Sequence, residues 1–282
     1  MMATPIASAL PAMVLVFALT GFAVAQNETA KAPGNTPDKV YELRMYTCNE
    51  GKLPLLHARF RDHSIALLAR HGMKSLYYWT ISEGATTDGE DAKNMLVYIL
   101  EHKSREAADA SWAAFRADPE WVAVKAKSEE GGPLLSKNPV SIFMTATEFC
   151  PPDEAENGKS DAPARLFELR KYNVGPSGLP GTVDRFKAGE AELFRKHGMT
   201  TVSFWTAMDD SAFIYLLAHK DRETSRTAWN AFFTDFRQFQ TEYNARRGPA
   251  TRGAGGAARG GRGGGGGNEI RFLVPTDYSP RK

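Results

Sequence analysis

The chain has 282 residues, 42% of them apolar, and a formal net charge of +2. This length and apolar content are enough for two domains of ordinary size, each with its own core. So small a net charge does not by itself imply a nucleic-acid or membrane-surface partner. No GxSxG elbow, phosphate loop or dinucleotide fingerprint occurs, which leaves the common hydrolase and nucleotide-dependent readings without support.

Residues 1–25 read as a secretory signal peptide. An apolar run from Ile6 to Val24 ends in Ala23-Val24-Ala25, a small-x-small cleavage pattern ahead of Gln26. The expectation is export to the periplasm or beyond, with no stable membrane insertion after cleavage. The rival is an uncleaved anchor, because the run is nearly long enough to span and carries no Lys or Arg before it. Residues 26–38, rich in Ala, Pro, Asn and Thr, form a leader.

Val40 to Thr47 alternates, with Tyr41, Leu43 and Met45 on one parity and Glu42, Arg44 and Tyr46 on the other, which predicts a half-buried strand. A helix follows from Leu53 to His71, closed by Gly72 at a position suited to a left-handed turn. Strands are predicted over Lys74 to Ile81 and Met95 to Glu101. The latter is apolar on both parities and so covered on both faces. Ser104 is a candidate N-cap for a second helix carrying Trp112 and Phe115, and Val140 to Phe149 supplies a last strand.

The whole pattern then returns. Tyr41-Glu42-Leu43-Arg44-Met45-Tyr46 is matched 126 positions later by Phe167-Glu168-Leu169-Arg170-Lys171-Tyr172. His71-Gly72-Met73 is matched by His197-Gly198-Met199, and Trp79-Thr80 by Trp205-Thr206. From Tyr98 onward the spacing falls to 117, so Trp112 corresponds to Trp229. The expected organisation is one repeat over 39–150, a linker over 151–163 and a second repeat over 164–282. Each repeat has the order β-α-β-β-α-β, which is ferredoxin-like. The expected fold class is α+β: two tandem repeats packed sheet to sheet as a pseudo-dimeric barrel, an internal dimer in one chain, with further self-association left open.

These residues resemble the NIPSNAP family. The likeness rests on Glu-Leu-Arg-x-Tyr in the first strand, Arg70-His71-Gly72, Tyr78-Trp79-Thr80 and Asp118-Pro119-Glu120-Trp121. The second repeat has Phe236-Arg237-Gln238 in place of Pro119-Glu120-Trp121, so that corner must differ. The resemblance implies the dimeric α+β-barrel fold, shared with small cofactor-independent monooxygenases and isomerases. It supplies no settled reaction and no established catalytic residues, and no cofactor is expected.

On this reading Glu42, Arg44, Tyr46, Glu168, Arg170 and Tyr172 face the space between the sheets. They either hold an anionic or phenolic ligand there or pair with one another as buried ions. Trp79 and Trp205 would wall an aromatic ligand, or simply fill the core. Candidate catalytic residues are His71, His102 and Tyr46. The competing role for His71 and His197 is to meet the negative end of a helix, and for His102 and His219 to be solvated strand ends. His57 and His63, six apart, point to different helix faces and make no metal pair. Cys48 and Cys150 end antiparallel strands at opposite ends of the ladder, roughly 20 Å apart, too far to bridge. Residues 246–267 carry five arginines among glycines. An Arg-Gly tract can bind nucleic acid, but without aromatics a flexible loop is the preferred reading.

The expected function is binding of a small anionic or aromatic molecule between the sheets. The alternatives are cofactor-independent oxygenation or isomerisation, and a structural or interaction role with a filled barrel.

Overall fold

The computed structural model describes Met1 and residues 39–82, 89–152, 165–247 and 267–282. The segments expected to be signal peptide (apart from Met1) and leader, most of the expected linker and all but the ends of the Gly/Arg-rich insert lie outside the described residues. Among the described residues no helix is long and apolar enough to cross a membrane.

Eight strands close into one barrel in the order β1-β3-β2-β8-β5-β7-β6-β4. The first half supplies β1 (Val40–Thr47), β2 (Lys74–Ile81), β3 (Met95–His102) and β4 (Val140–Ala146). The second supplies β5 (Leu166–Tyr172), β6 (Thr200–Ala207), β7 (Phe213–His219) and β8 (Glu269–Pro275). The two halves meet at two antiparallel seams. Trp79 to Ile81 of β2 pair with Pro275 to Leu273 of β8, and Met144 to Ala146 of β4 pair with Ala207 to Trp205 of β6.

This corrects the expected packing. The two sheets do not lie face to face; their edges join into a single closed sheet. Closure removes the free edges that two open four-stranded sheets would each present, and so satisfies their unpaired backbone groups.

The barrel interior is filled. Leu43, Met45, Trp79, Val97, Ile99, Phe167, Leu169, Trp205, Ile214 and Leu216 are buried in one cluster, with Tyr77 stacked on Trp79 at 4.6 Å. Each such side chain contributes about 1.5–3 kcal/mol relative to exposure. Trp79 and Trp205 are thus interior core.

Helices cover the outer face. In the first half, α1 (Leu53–Arg59) continues through a π-helical turn (Phe60–Ser64) into α2 (Ile65–Arg70). Gly72, at φ +77°, ends it in the left-handed conformation that a side chain rarely adopts. The second half repeats this with α5 (Gly175–Arg185), a π-helical turn (Phe186–Glu190) and α6 (Ala191–Lys196). The Ser104 hydroxyl accepts from the Ala107 amide at 3.1 Å and starts α3 (Arg105–Ala117), as expected of a cap.

The halves then diverge. Asp118 takes extended backbone, accepts from the Glu120 amide at 2.9 Å and starts a separate helix, α4 (Pro119–Ser128), with Pro119 in its first turn. In the second half, with Phe236 where Pro119 would fall, α7 (Arg222–Arg247) runs unbroken for 26 residues. The last strands are shorter than expected, β4 ending at Ala146 and β8 at Pro275. Cys48 and Cys150 are not joined to each other by a disulfide.

Candidate functional site

Burial of the apolar parity of β1 inside the barrel turns Glu42, Arg44 and Tyr46 outward, beneath the helices, and Glu168, Arg170 and Tyr172 likewise. The expected placement between the sheets is therefore reversed. Polarity along β1 marks the helix-covered face, because that face can supply partners and the closed interior cannot. These residues are thereby also separated from Trp79 and Trp205, which sit on the other side of the sheet.

Glu42 is fully buried and accepts four hydrogen bonds. One oxygen takes the Arg44 guanidinium at 2.7 Å and the Ser141 hydroxyl at 2.6 Å. The other takes the Trp112 indole at 2.7 Å and His102 Nε2 at 3.0 Å. Burial alone would raise this carboxyl, but His102, Arg44 and Ser141 outweigh it and hold the pKa down at about 2. Glu168 repeats the arrangement with Arg170 at 2.6 Å, Trp229 at 2.8 Å and His219 at 2.9 Å, and its pKa is also about 2, with burial opposing. The ion-pair reading of Glu and Arg is correct in both halves.

His102 and His219 are not solvated strand ends. They are 2% and 3% exposed, and each is bound to its half's buried glutamate. His71 and His197 close their helices as expected, and the ring of each reaches an aspartate, Asp118 at 2.7 Å and Asp235 at 3.0 Å. His71 and Arg70 together hold the Asp118 carboxyl well below the usual carboxylate range. His57 Nδ1 lies 2.6 Å from the Tyr278 hydroxyl and His63 is exposed. Among the described residues no group of three or more His, Cys, Asp or Glu is placed to hold a metal.

A pocket of about 500 Å³ opens over Arg44 and Tyr46. Its walls are Trp112, Phe115 and Arg116 of α3, Trp121 and Lys125 of α4, Arg59, and the 133–139 segment with Lys137. Among the described residues, Glu129 is the one acidic lining residue, against Arg44, Arg59, Arg116, Lys125 and Lys137. Some of that positive charge is matched: Glu129 pairs with Arg59 at 3.0 Å, and Asp91 with Lys137 at 2.7 Å. The Arg44 guanidinium lies 4.4 Å from the Trp112 ring centre and donates to the Tyr46 hydroxyl at 3.1 Å. Cationic groups over aromatic faces suit a small anion with a flat ring.

Of the candidate catalytic residues, Tyr46 lines this pocket; His71 and His102 do not. Sequence pattern alone did not point to Arg59, Arg116, Trp121, Lys125 or Lys137. The available signal was Asp118-Pro119, which breaks the helix and sends Trp121 and Lys125 back over the sheet.

The second half lacks this lining. At 117-residue spacing Arg116 becomes Phe233, Trp121 becomes Gln238 and Lys125 becomes Glu242. The unbroken α7 lays Phe236 in the helix-sheet core and Phe239 against Gly189, where an added Cβ would lie 3.0 Å from the ring.

Residues 41–151 match the NIPSNAP family. The match runs from β1 to just beyond β4, so the NIPSNAP segment contains every residue that lines the pocket. A candidate monooxygenase from Fusobacterium nucleatum subsp. nucleatum has a similar fold, with TM-score 0.51 and 12% identity over 84% of this chain and 92% of that one. A NIPSNAP family protein of unknown function from Agrobacterium tumefaciens is 20% identical over 42% of this chain and 96% of that one, with TM-score 0.35. A NIPSNAP domain protein from Burkholderia xenovorans is 22% identical over 40% and 99%, with TM-score 0.33. No curated protein sequence matches the chain.

Proposed function

We propose that this is a NIPSNAP-type protein, exported after removal of residues 1–25, whose first-half pocket binds a small anion bearing an aromatic ring. Two ferredoxin-like repeats, 39–150 and 164–282, joined by 151–163, build the single barrel. The observation that supports the binding reading is the pocket of about 500 Å³, in which Arg44, Arg59, Arg116 and Lys125 stand among Tyr46, Trp112, Phe115 and Trp121. A concave pocket of this size, with aromatic walls and convergent charged groups, is a usual form of a small-molecule site. Native mass spectrometry of the protein from its own host is the test. A retained small molecule, lost on Arg116→Ala with Lys125→Ala, supports binding; retention unchanged in that variant counts against it.

Oxygenation or isomerisation without a cofactor is the second reading, drawn from the barrel's likeness to the Fusobacterium candidate monooxygenase. Tyr46 and Arg44 stand where they would stabilise a developing oxyanion, whereas His102 is bound behind Glu42. Oxygen consumption on adding an aromatic acid or phenol, lost in Tyr46→Phe, would favour this reading over binding alone. The filled interior also accommodates a structural role, but it leaves the outer pocket without an account.

A further inference from the structure

The duplication places a reference copy of the pocket inside the same chain. Arg59 and Arg185 are equivalent, each the last residue of its helix and each 5% exposed. In the second half Arg185 Nε donates to Glu190 at 2.5 Å. Glu190 is 3% exposed, lies five residues on in the π-helical turn, and also feels the charge of Arg170. Burial pushes the Glu190 carboxyl up, against the pull of Arg185 and of Arg170, so this half carries its own carboxyl group beside Arg185.

The first half has Ser64 at this position, and its hydroxyl donates to the Arg59 carbonyl at 3.1 Å. Arg59 gives one terminal nitrogen to Ser128 at 3.1 Å and to Glu129 at 3.0 Å. Its Nε is buried with no hydrogen-bond partner among the described residues, and so is the Nε of Arg44. Both arginines line the pocket. A buried donor left without an acceptor costs about 1–3 kcal/mol, and more when charged. The second half meets the same need at Arg185 with a carboxylate.

We infer that the first-half pocket takes the carboxylate of an aromatic acid, which supplies to Arg59 what Glu190 supplies to Arg185, with the ring among Trp112, Phe115 and Trp121. This rests on the pocket being a ligand site, as proposed above, and adds the class of anion. The change from Glu190 to Ser64 removes, in the first half, the carboxylate that Arg185 has beside it in the second. A carboxylate matches a guanidinium edge in geometry as well as charge, so a neutral isostere loses most of the attraction.

Isothermal titration of the full chain with benzoate, 1-naphthoate, benzamide, benzenesulfonate and phenyl phosphate tests this. The expected result is one carboxylate per chain, with benzamide at least about tenfold weaker. Ser64→Glu, which copies the second half, should weaken the acid by about tenfold or more without lowering the melting temperature, whereas Ser64→Ala should bind as the parent does. Should Ser64→Glu fail to fold, Ser64→Gln, which fills the space without the charge, gives the same comparison against Ser64→Ala.

Carboxylate affinity unchanged in a folded Ser64→Glu chain would overturn the assignment of the anion's place while leaving the pocket a ligand site. Preference for phenyl phosphate or benzenesulfonate over the acids would overturn the carboxylate class alone. No binding by any of the aromatic anions would overturn both readings.

Discussion

The Trp112 indole donates to the Glu42 carboxylate at 2.7 Å, from the middle of α3 to the second position along the buried face of β1. The same carboxylate takes His102 from β3 and Ser141 from β4. One side chain therefore ties a helix to three adjacent strands and presents Arg44 to the pocket above. Glu42→Ala should cost about 3–5 kcal/mol in urea unfolding, because Arg44 is left buried without its counter-ion. Trp112→Phe, which deletes one bond and keeps most of the ring, should cost clearly less.

Acid should unfold the barrel steeply. Glu42 and Glu168 have folded pKa values of about 2 against an ordinary 4.5. A depressed carboxyl contributes stability that is present above its unfolded pKa and is lost as pH falls through its folded one. The loss should therefore run from about pH 4.5 to about pH 2, on the order of 3 kcal/mol for each carboxyl. Circular dichroism against pH checks this. Glu168→Gln should be less stable at pH 7 and should show a shallower acid limb; an unchanged limb would count against the assignment.

The seam between halves should depend on the barrel interior and not on the surface ion pairs across it. Arg61 binds Asp277 with two contacts of 2.9 Å, and Lys187 pairs with Glu148 in the equivalent place. All four side chains are exposed, so Arg61→Ala should move the melting temperature by no more than about 4 °C. Trp79→Ala, in the filled interior beside β8, should cost about 3–5 kcal/mol. Differential scanning calorimetry separates the two.

Asp118 and Asp235 are equivalent in sequence but not in duty. Both accept from a histidine, yet Asp118 also starts α4, while Asp235 lies within the continuous α7. Asp118→Ala should lower the melting temperature more than Asp235→Ala does. It should also weaken pocket binding, since α4 carries Trp121 and Lys125. Equal effects of the two substitutions on binding would contradict this.

Much of the fold was readable because strands advertise themselves by parity. β1, β2 and β3 fall where alternation and the doubly apolar run place them, and all eight residues of β3 are buried. Gly72 and Ser104 likewise mark the helix limits. Direction was harder. Glu42, Arg44 and Tyr46 looked suited to a polar cavity between sheets, but a closed barrel of eight strands has an interior small enough for apolar side chains to fill. The polar parity went instead to the face where helices provide Trp112 and its neighbours as partners. His102 was obscured for the same reason: its partner Glu42 lies on that helix-covered face. The pocket wall depends on α4, a short helix set apart by a single Asp-Pro step, and its partners are distant in sequence.

The central claim is that the first half, and not the barrel interior or the second half, holds the ligand. A crystal structure of the full chain grown with 1-naphthoate tests it most directly. The account predicts one bound acid per chain, its carboxylate against Arg59 and Arg44 and its ring beside Trp112 and Trp121. An acid bound in the second half beside Arg170, or between Trp79 and Trp205 inside the barrel, would contradict it.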